Sequence, residues 1–107
     1  MKHVYYPDVE GIDALSLGLE GSAKMQVKIL SDDSVCLEIA PEGHTPDHTH
    51  ADKERVLVVS GMGEIKLRGE RRDIKPGDFI EFDVNEQHQI INNHDDLLVI
   101  MCFRNQK

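Results

Sequence analysis

Two histidines and a glutamate lie close together in the segment DHTHADKE, which runs from Asp47 to Glu54. His48 and His50 are separated by one residue, and Glu54 follows after ADK. Alternate side chains of a β-strand share a face, so all three point towards one place if the strand resumes beyond a turn. Imidazole and carboxylate groups bind Zn, Cu, Fe, Ni and Mn. The segment therefore suggests a metal site, although two exposed histidines on one strand would look the same.

A fourth group of a suitable type comes much later in the chain. His88 begins HQII, a strand-like segment that is followed by Asn92. If this strand lies beside the first, His88 completes a set of three imidazole nitrogens and one carboxylate. The alternative is a barrel in which the four side chains only hydrogen-bond one another. Burying them without a cation would be costly, because a buried charge needs a partner, and this favours a metal site.

The elements that must position these groups are short strands separated by turn signals, without a convincing helical period anywhere. The predicted strands are MQVKIL (25–30), VCLEIA (35–40), RVLVV (55–59), GEIKLR (63–68), RRDI (71–74), FIEF (79–82), HQII (88–91) and LLVIMCF (97–103), the last buried on both faces. Turns are predicted at SDDS (31–34), Gly69-Glu70, PGD (76–78) and NNHDD (92–96), and PEGHTPDH (41–48) is predicted to be a loop. This pattern predicts an all-β sandwich or barrel.

A chain of 107 residues is long enough for one domain with a single core. Residues 25–107 are predicted to form the barrel. Residues 1–24 form a lead-in segment that packs on the barrel or on a dimer partner, and 12–19 within it is either one helical turn or an irregular strand. The apolar run Val4–Tyr6 and the exposed sheet edges favour a homodimer.

The formal net charge of −8 argues against binding to nucleic acid or to anionic membrane surfaces. Cys36 and Cys102 lie in apolar runs far apart in the chain, which is typical of buried, reduced thiols in a cytosolic protein. The first residues include several acids and no apolar run of signal-peptide length. We therefore expect a cytoplasmic protein that interacts with a small molecule and with no membrane.

The spacing around the first histidines resembles the first motif of the cupin family. That motif has a glycine, about five residues, H-x-H, three or four residues, glutamate, six residues and glycine. The matching residues here are Gly43, His48, His50, Glu54 and Gly61. The spacer after Gly43 is one residue short, a difference that affects a loop and none of the candidate ligands.

The later histidine fits the second motif of the same family, which has a glycine, five residues, P-x-G, two residues, histidine, three residues and asparagine. The matching residues are Gly77, Asp83, Asn85, His88 and Asn92. Asp83 and Asn85 replace the proline and the glycine of the motif. Both are turn-forming residues, and Asn tolerates left-handed backbone angles, so the turn is expected to be kept.

The resemblance implies a single-domain jelly-roll barrel, the cupin-type double-stranded β-helix, with His48, His50, Glu54 and His88 as ligands of one divalent metal ion per chain. Fe(II) is the first expectation, with Mn, Ni or Zn as alternatives. Four protein ligands leave two positions of an octahedral shell open, whereas a tetrahedral Zn²⁺ would be saturated. The resemblance to cupins also implies dioxygenase, isomerase, lyase or decarboxylase chemistry.

The side chains that share the parity of the ligands are apolar: Val56, Val58 and Ile90, joined by Ile65, Leu67 and Phe82 if these face inwards. An apolar pocket with few charged groups argues against a highly charged substrate. His44 is expected in an exposed loop, and Asn92 is expected to tether the barrel. Gln87, Gln89 and Arg55 have the parity to point away from the site.

Three functions are compatible with these features. The first is a metal-dependent enzyme, foremost a dioxygenase acting on a small enol, diketone, thiol or aromatic compound, with Glu54 as a metal ligand that could also serve as general base. The second is a non-catalytic module that binds or senses a small molecule. The third is a structural dimer whose metal stabilises the fold. A metal-binding enzyme ranks first, and the fold alone cannot choose between the three.

Overall fold

A computed structural model of the chain describes residues 1–47, 49 and 53–104. Within these ranges the chain forms nine strands and two short 3₁₀ turns, Tyr6–Asp8 and Ala14–Leu17. The strands are β1 Ile12–Asp13, β2 Ala23–Ser31, β3 Ser34–His44, β4 Glu54–Ser60, β5 Gly63–Leu67, β6 Glu70–Ile74, β7 Phe79–Phe82, β8 His88–Ile91 and β9 Leu98–Arg104. Neither 3₁₀ turn, nor any other helix in the described residues, has the length and hydropathy of a membrane crossing.

All strand pairs are antiparallel, and the sheet has the order β6-β5-β8-β3-β9-β4-β7, with β2 added on β3 and β1 on β2. The sheet curls, so that alternate side chains of its strands fill one interior. The all-β class predicted from period-two patterns is confirmed. The strand β3 connects the two halves, because it pairs with β9 along residues 34–39 and with β8 at His44.

The predicted strand positions are confirmed with differences at their ends. The largest is in β3, which continues through Pro41, Glu42 and Gly43 to His44, where a loop was predicted. The strand is irregular there: Glu42 has a φ of 70°, and the register with β2 shifts between Ala23 and Met25. Such a bulge accommodates a proline and a glycine inside a strand.

Two smaller differences concern the hairpins. The β5–β6 turn is centred on Arg68 and Gly69, with φ values of 53° and 82°, one residue earlier than the predicted Gly69-Glu70. Two successive positive φ angles match the twist of a two-residue hairpin. The strand β9 is buried on both faces from Leu98 to Ile100, but Phe103 is 38% exposed, so the prediction for this strand is confirmed only in its first half.

The inward faces of the strands form one hydrophobic core. Ile39, Val56 and Ile100 are 0% exposed, and they come from three different strands. The predicted inward residues Val58, Ile65, Phe82 and Ile90 are also buried, and Leu67 is partly buried against them. The parity argument for these positions is therefore confirmed.

Asn92 holds the two halves of the sheet together, as its motif position suggested. It is 0% exposed, and its Nδ2 donates hydrogen bonds to the carbonyl oxygens of Ile39 and Asp96, each at 2.8 Å. Its Oδ1 accepts a hydrogen bond from the backbone N–H of His94 at 3.0 Å. A buried side chain that satisfies carbonyls on two segments fixes their relative position.

The lead-in segment packs against β2. Ile12 and Asp13 pair with Val27 and Gln26, and the following 3₁₀ turn buries Ala14 in the core. The segment 12–19 is thus a two-residue strand followed by a 3₁₀ turn, which combines both alternatives of the sequence analysis. The boundary between residues 24 and 25 stays a prediction.

The lead-in segment also covers Lys28 on the outer face of β2. Lys28 is 8% exposed, and its ammonium group forms an ion pair with Glu38 at 3.2 Å and donates to the carbonyls of Tyr6 and Pro7 at 3.4 and 3.3 Å. These contacts fasten the segment to its own barrel. Tyr5 is 67% exposed, and the homodimer stays a prediction.

Candidate metal centre

Glu54 and His88 are the first residues of β4 and β8, and both point into the barrel. They are 8% and 4% exposed, and Glu54 Oε1 lies 3.0 Å from His88 Nε2. The two strands are not neighbours in the sheet, because β3 and β9 lie between them. The curl of the sheet therefore brings together two of the four groups that the sequence singled out.

The ring of His88 is held in one orientation. Its Nδ1 lies 2.9 Å from the carbonyl oxygen of Glu86, and since a carbonyl only accepts, Nδ1 carries the proton and donates. The ring also stacks on Phe82, with centroids 3.7 Å apart and planes at 3°. A metal-binding histidine is commonly oriented by such a second hydrogen bond, which leaves Nε2 to face the site.

The protonation of Nδ1 has a consequence for the pair. In the neutral ring Nε2 then presents a lone pair, and so does the carboxylate oxygen of Glu54 at 3.0 Å. Two lone pairs at that distance repel each other unless a proton or a cation lies with them. Ligand atoms on adjacent positions of an octahedral ion, with bonds of about 2.1 Å, are also about 3.0 Å apart. The geometry fits a shared metal ion as well as a proton on Nε2.

The electrostatic surroundings favour positive charge at this point. Burial lowers the pKa of His88, but the hydrogen bonds to Glu54 and to the Glu86 carbonyl, together with the charges of both carboxylates, outweigh it, and the pKa is raised. Groups that stabilise an imidazolium also stabilise a metal ion in its place.

The other two predicted ligands, His48 and His50, lie outside the described residues. Within residues 1–47, 49 and 53–104 no group of three or more His, Cys, Asp or Glu side chains is arranged to hold a metal ion. The described part of the site is thus the pair Glu54 and His88, and the four-residue ligand set stays a prediction.

A cavity of about 520 Å³ opens beside this pair. Its apolar wall is formed largely by Met25 and Val27 of β2, Val35 and Leu37 of β3, and Ile90 of β8. Of the wall residues predicted from strand parity, Ile90 lines the cavity, whereas Val56, Val58, Ile65, Leu67 and Phe82 do not. That part of the prediction was wrong because it considered only the strands of the candidate ligands and their neighbours, whereas the cavity lies against β2 and β3.

The cavity also holds more charge than predicted. Glu20, Asp32, Asp33 and Arg104 line it in addition to Glu54, and all four are exposed. They surround its solvent-facing end, where the β2–β3 turn, the lead-in segment and the end of β9 meet. Strand parity alone could have indicated Arg104, because it is separated by one residue from the inward-facing Cys102.

The remaining candidates lie away from the pair. Arg55 points outwards and forms an ion pair with Glu81 at 2.9 Å, as its parity predicted. Gln89 donates to the carbonyl of Thr45 at 2.9 Å, and Gln87 donates to Asp47 at 3.2 Å. His44 is half-buried at the end of β3 instead of in an exposed loop, while His3 and His94 are exposed as predicted.

Both cysteines are free and buried. The pKa of Cys36 is raised from 9.0 to about 11, mainly by burial; the charge of Glu38 adds to the increase and the charge of Lys28 opposes it. Burial also raises the pKa of Cys102, which lines the cavity; Glu54 adds to the increase and Arg104 opposes it. Both thiols therefore remain protonated near neutral pH.

We expect both cysteines to resist alkylation in the folded protein. At about pH 8 a pKa increase of about two units lowers the thiolate fraction of Cys36 roughly a hundredfold, and only the thiolate reacts. Treatment with iodoacetamide followed by mass spectrometry should give unmodified folded protein and doubly modified protein in concentrated urea. Stoichiometric labelling of the folded chain within minutes would contradict this expectation.

Comparison with known proteins agrees with the fold. Residues 35–104 match the family model of the cupin domain. No curated protein matches the chain significantly.

Solved structures of the same architecture superimpose closely. The polyketide cyclase RemF from Streptomyces resistomycificus gives a TM-score of 0.84 at 21% identity, over 97% of this chain and 78% of RemF. A predicted oxalate decarboxylase from Thermotoga maritima gives 0.82 at 19% identity, over 95% and 96% of the two chains. KdgF from a Halomonas species gives 0.75 at 24% identity, over 96% and 94%. The TM-scores show a shared fold at these low identities.

Proposed function

Because this chain belongs to the cupin family, we propose that it binds one divalent metal ion and is a metal-dependent enzyme acting on a small molecule with an apolar body. The ligands would be Glu54 and His88 together with the sequence-predicted His48 and His50. The observation that carries the proposal is the 3.0 Å approach of Glu54 Oε1 to His88 Nε2. The orientation of the histidine ring leaves a place for positive charge between these two atoms.

The donor set favours Fe(II), with Mn, Ni and Zn as alternatives, because imidazole suits all four and the carboxylate adds affinity for the harder ions. When bound, such an ion would supply Lewis acidity and a template for the oxygen atoms of a substrate, including dioxygen.

The residues of the chain would orient the metal ligand, bind the substrate and accept a proton. Glu86 and Phe82 hold the His88 ring, so that Nε2 keeps its direction during a reaction. The apolar wall from β2 and β3 would bind the body of the substrate and exclude water from the inner end of the cavity. Glu54 would accept a proton if its carboxylate leaves the metal, which makes it the candidate general base.

Dioxygenase-like chemistry remains the first proposal for the reaction. Two of the structural neighbours are a polyketide cyclase and a predicted oxalate decarboxylase. They are a reason to test two more reaction types, ring closure of a polycarbonyl compound and loss of carbon dioxide. For each of these reactions, a metal ion held by Glu54 and His88 would supply Lewis acidity to oxygen atoms of the substrate.

The test begins with elemental analysis of protein purified without a metal-affinity column. About one equivalent of a transition metal per chain is the expected result. The metal-free protein is then reconstituted anaerobically with Fe(II), Mn(II), Ni(II) or Zn(II) and assayed for oxygen uptake, carbon dioxide release and substrate loss with enols, diketones, thiols and aromatic compounds. A chain that takes up none of these metals contradicts the metal site, and full loading without turnover contradicts the enzyme.

A second candidate is a binding module that holds a small molecule without turnover. One observation favours it: among the described residues, the acids that line the cavity besides Glu54 are exposed at its solvent-facing end. Among the described residues, the inner end thus has few groups for proton transfer besides Glu54 and His88. A ligand that co-purifies with the native protein, and that mass spectrometry finds unchanged after incubation with metal and oxygen, would support this function over the enzyme.

A further inference from the structure

We infer that Arg104 binds the carboxylate of the ligand and makes the cavity selective for monocarboxylates with an apolar chain. This inference names a ligand class for the proposed site and rests on the proposed function only in placing that ligand next to the metal. It concerns a residue that lies outside both motifs.

The position of Arg104 in the sheet supports this role. Arg104 is directly opposite Glu54 in the β9–β4 register, and residues opposite each other in an antiparallel pair share a face with Cβ atoms about 5 Å apart. Cys102 and Ile100, at alternate positions of the same strand, are buried inwards. The cavity lining includes Arg104, Glu54 and His88 together. Arg104 therefore lies on the face of the sheet that carries Glu54, and it lines the same cavity as the candidate metal centre.

Arg104 forms no ion pair with the described residues. Throughout residues 1–47, 49 and 53–104, no carboxylate lies within ion-pair distance of its guanidinium. Its backbone N–H is fixed by the carbonyl of Asp33 at 3.0 Å, which holds the end of β9 against the β2–β3 turn. A positioned guanidinium with free donors forms two parallel hydrogen bonds with a carboxylate.

The other cavity residues form an apolar wall and an acidic open end. Met25, Val27, Val35 and Leu37 offer an apolar surface for a hydrocarbon chain. Glu20, Asp32 and Asp33 place negative charge at the open end. A single carboxylate can pair with Arg104, whereas a second negative charge would face these acids without a cation of its own. The cavity thus suits a monoanion better than a dicarboxylate or a phosphate monoester, which carries nearly two charges.

The test compares four probes of equal chain length, hexanoate, hexanamide, adipate and hexyl phosphate, by isothermal titration calorimetry. The metal-free protein is used first, so that direct binding of a carboxylate to a metal cannot account for the result. We expect hexanoate to bind roughly ten- to a hundredfold more tightly than hexanamide, the range for a hydrogen-bonded charge pair. Adipate and hexyl phosphate should bind more weakly than hexanoate.

Arg104→Gln should abolish the preference for hexanoate over hexanamide, and Arg104→Lys should keep part of it, because lysine retains the charge without the paired donors. Arg55→Gln is the matched control, since Arg55 lies on the outer face of β4 in an ion pair with Glu81; it should keep the full preference. Equal melting temperatures of the three variants and the natural chain would show that the barrel is intact.

A preference for hexanoate that persists in Arg104→Gln, or a natural chain that binds hexanoate no better than hexanamide, would refute the role of Arg104. Tighter binding of hexyl phosphate than of hexanoate would refute the selection of monocarboxylates. The metal content of Arg104→Gln is measured in parallel and should equal that of the natural chain. A chain that binds no metal but discriminates hexanoate from hexanamide through Arg104 would refute the proposed metal function and support this inference, so the two fail separately.

Discussion

His88→Gln and Glu54→Gln should each lose divalent metal binding. The affinity should fall by more than the roughly tenfold to hundredfold that is lost when a residue that hydrogen-bonds a metal ligand is removed. Each change replaces a donor of the buried pair by an amide of similar size. The amide does not carry the negative charge of Glu54 and cannot reproduce the imidazole nitrogen of His88, which is held in place by Glu86 and Phe82.

The measurement is titration of metal-free protein with Fe(II) or Mn(II) under anaerobic conditions, followed by metal analysis after gel filtration. His94→Gln and Glu81→Gln are matched controls, since both side chains are exposed and lie outside the cavity lining. The controls should bind metal like the natural chain. If both pair variants retained the natural affinity and stoichiometry, the result would contradict the assignment of the candidate metal centre to Glu54 and His88.

Gly61→Ala should destabilise the protein by about 2–5 kcal/mol, because it combines backbone strain with overpacking. Gly61 follows β4 and has a φ of 79°, an angle that costs a residue with a Cβ about 1–2 kcal/mol. A Cβ at this position would also lie 2.2 Å from the carbonyl oxygen of Leu97 and 2.9 Å from Cα of Leu98. Both contacts are with backbone, so the strands themselves would have to move.

Gly69→Ala provides a control with nearly the same backbone angle, 82°, and with no atom within 4 Å of the added Cβ. It should cost only the strain of about 1–2 kcal/mol. Urea denaturation of both variants, evaluated with a common m-value, separates the two contributions. Equal losses at the two positions would show that the close approach of Gly61 to Leu97 does not limit stability.

The sequence predicted the elements of the fold well where a pattern is local. The alternation in Glu54–Val58 and in His88–Ile90 identified the inward residues, because a strand that is half-buried must alternate. The turn at 76–78 was also predicted from its Pro-Gly-Asp composition, since these residues favour turns whatever surrounds them.

The extent of β3 could not be predicted from its composition. Pro41 and Gly43 are typical of loops, yet they continue the strand. The backbone N–H of Glu42 donates to the carbonyl of Asn92 at 3.0 Å, and the backbone N–H of Asn92 donates to the carbonyl of Gly43 at 2.9 Å. Gly43 is needed there, since a Cβ would lie 2.6 Å from the carbonyl oxygen of Ala23. The partners are far away in the sequence, and a local pattern does not contain them.

The sequence predicted the residues Glu54 and His88 of the candidate site, but only part of the cavity around them. The motifs named Glu54 and His88, and the structure brings them within 3.0 Å. The cavity wall from β2 and β3 and the position of Arg104 depend on which strands face one another across the barrel. The strand order of the sheet determines which strands face one another, and no local sequence pattern encodes that order.

The separation of β4 from β8 by two intervening strands also affects the order of events during folding. Hairpins such as β5–β6 can form from neighbouring residues, whereas we expect Glu54 and His88 to meet only when the sheet closes on itself. Candidate ligands that converge this late would not serve as a nucleus for assembly. A metal ion bound there would slow the reopening of the finished barrel and leave the rate of its formation almost unchanged.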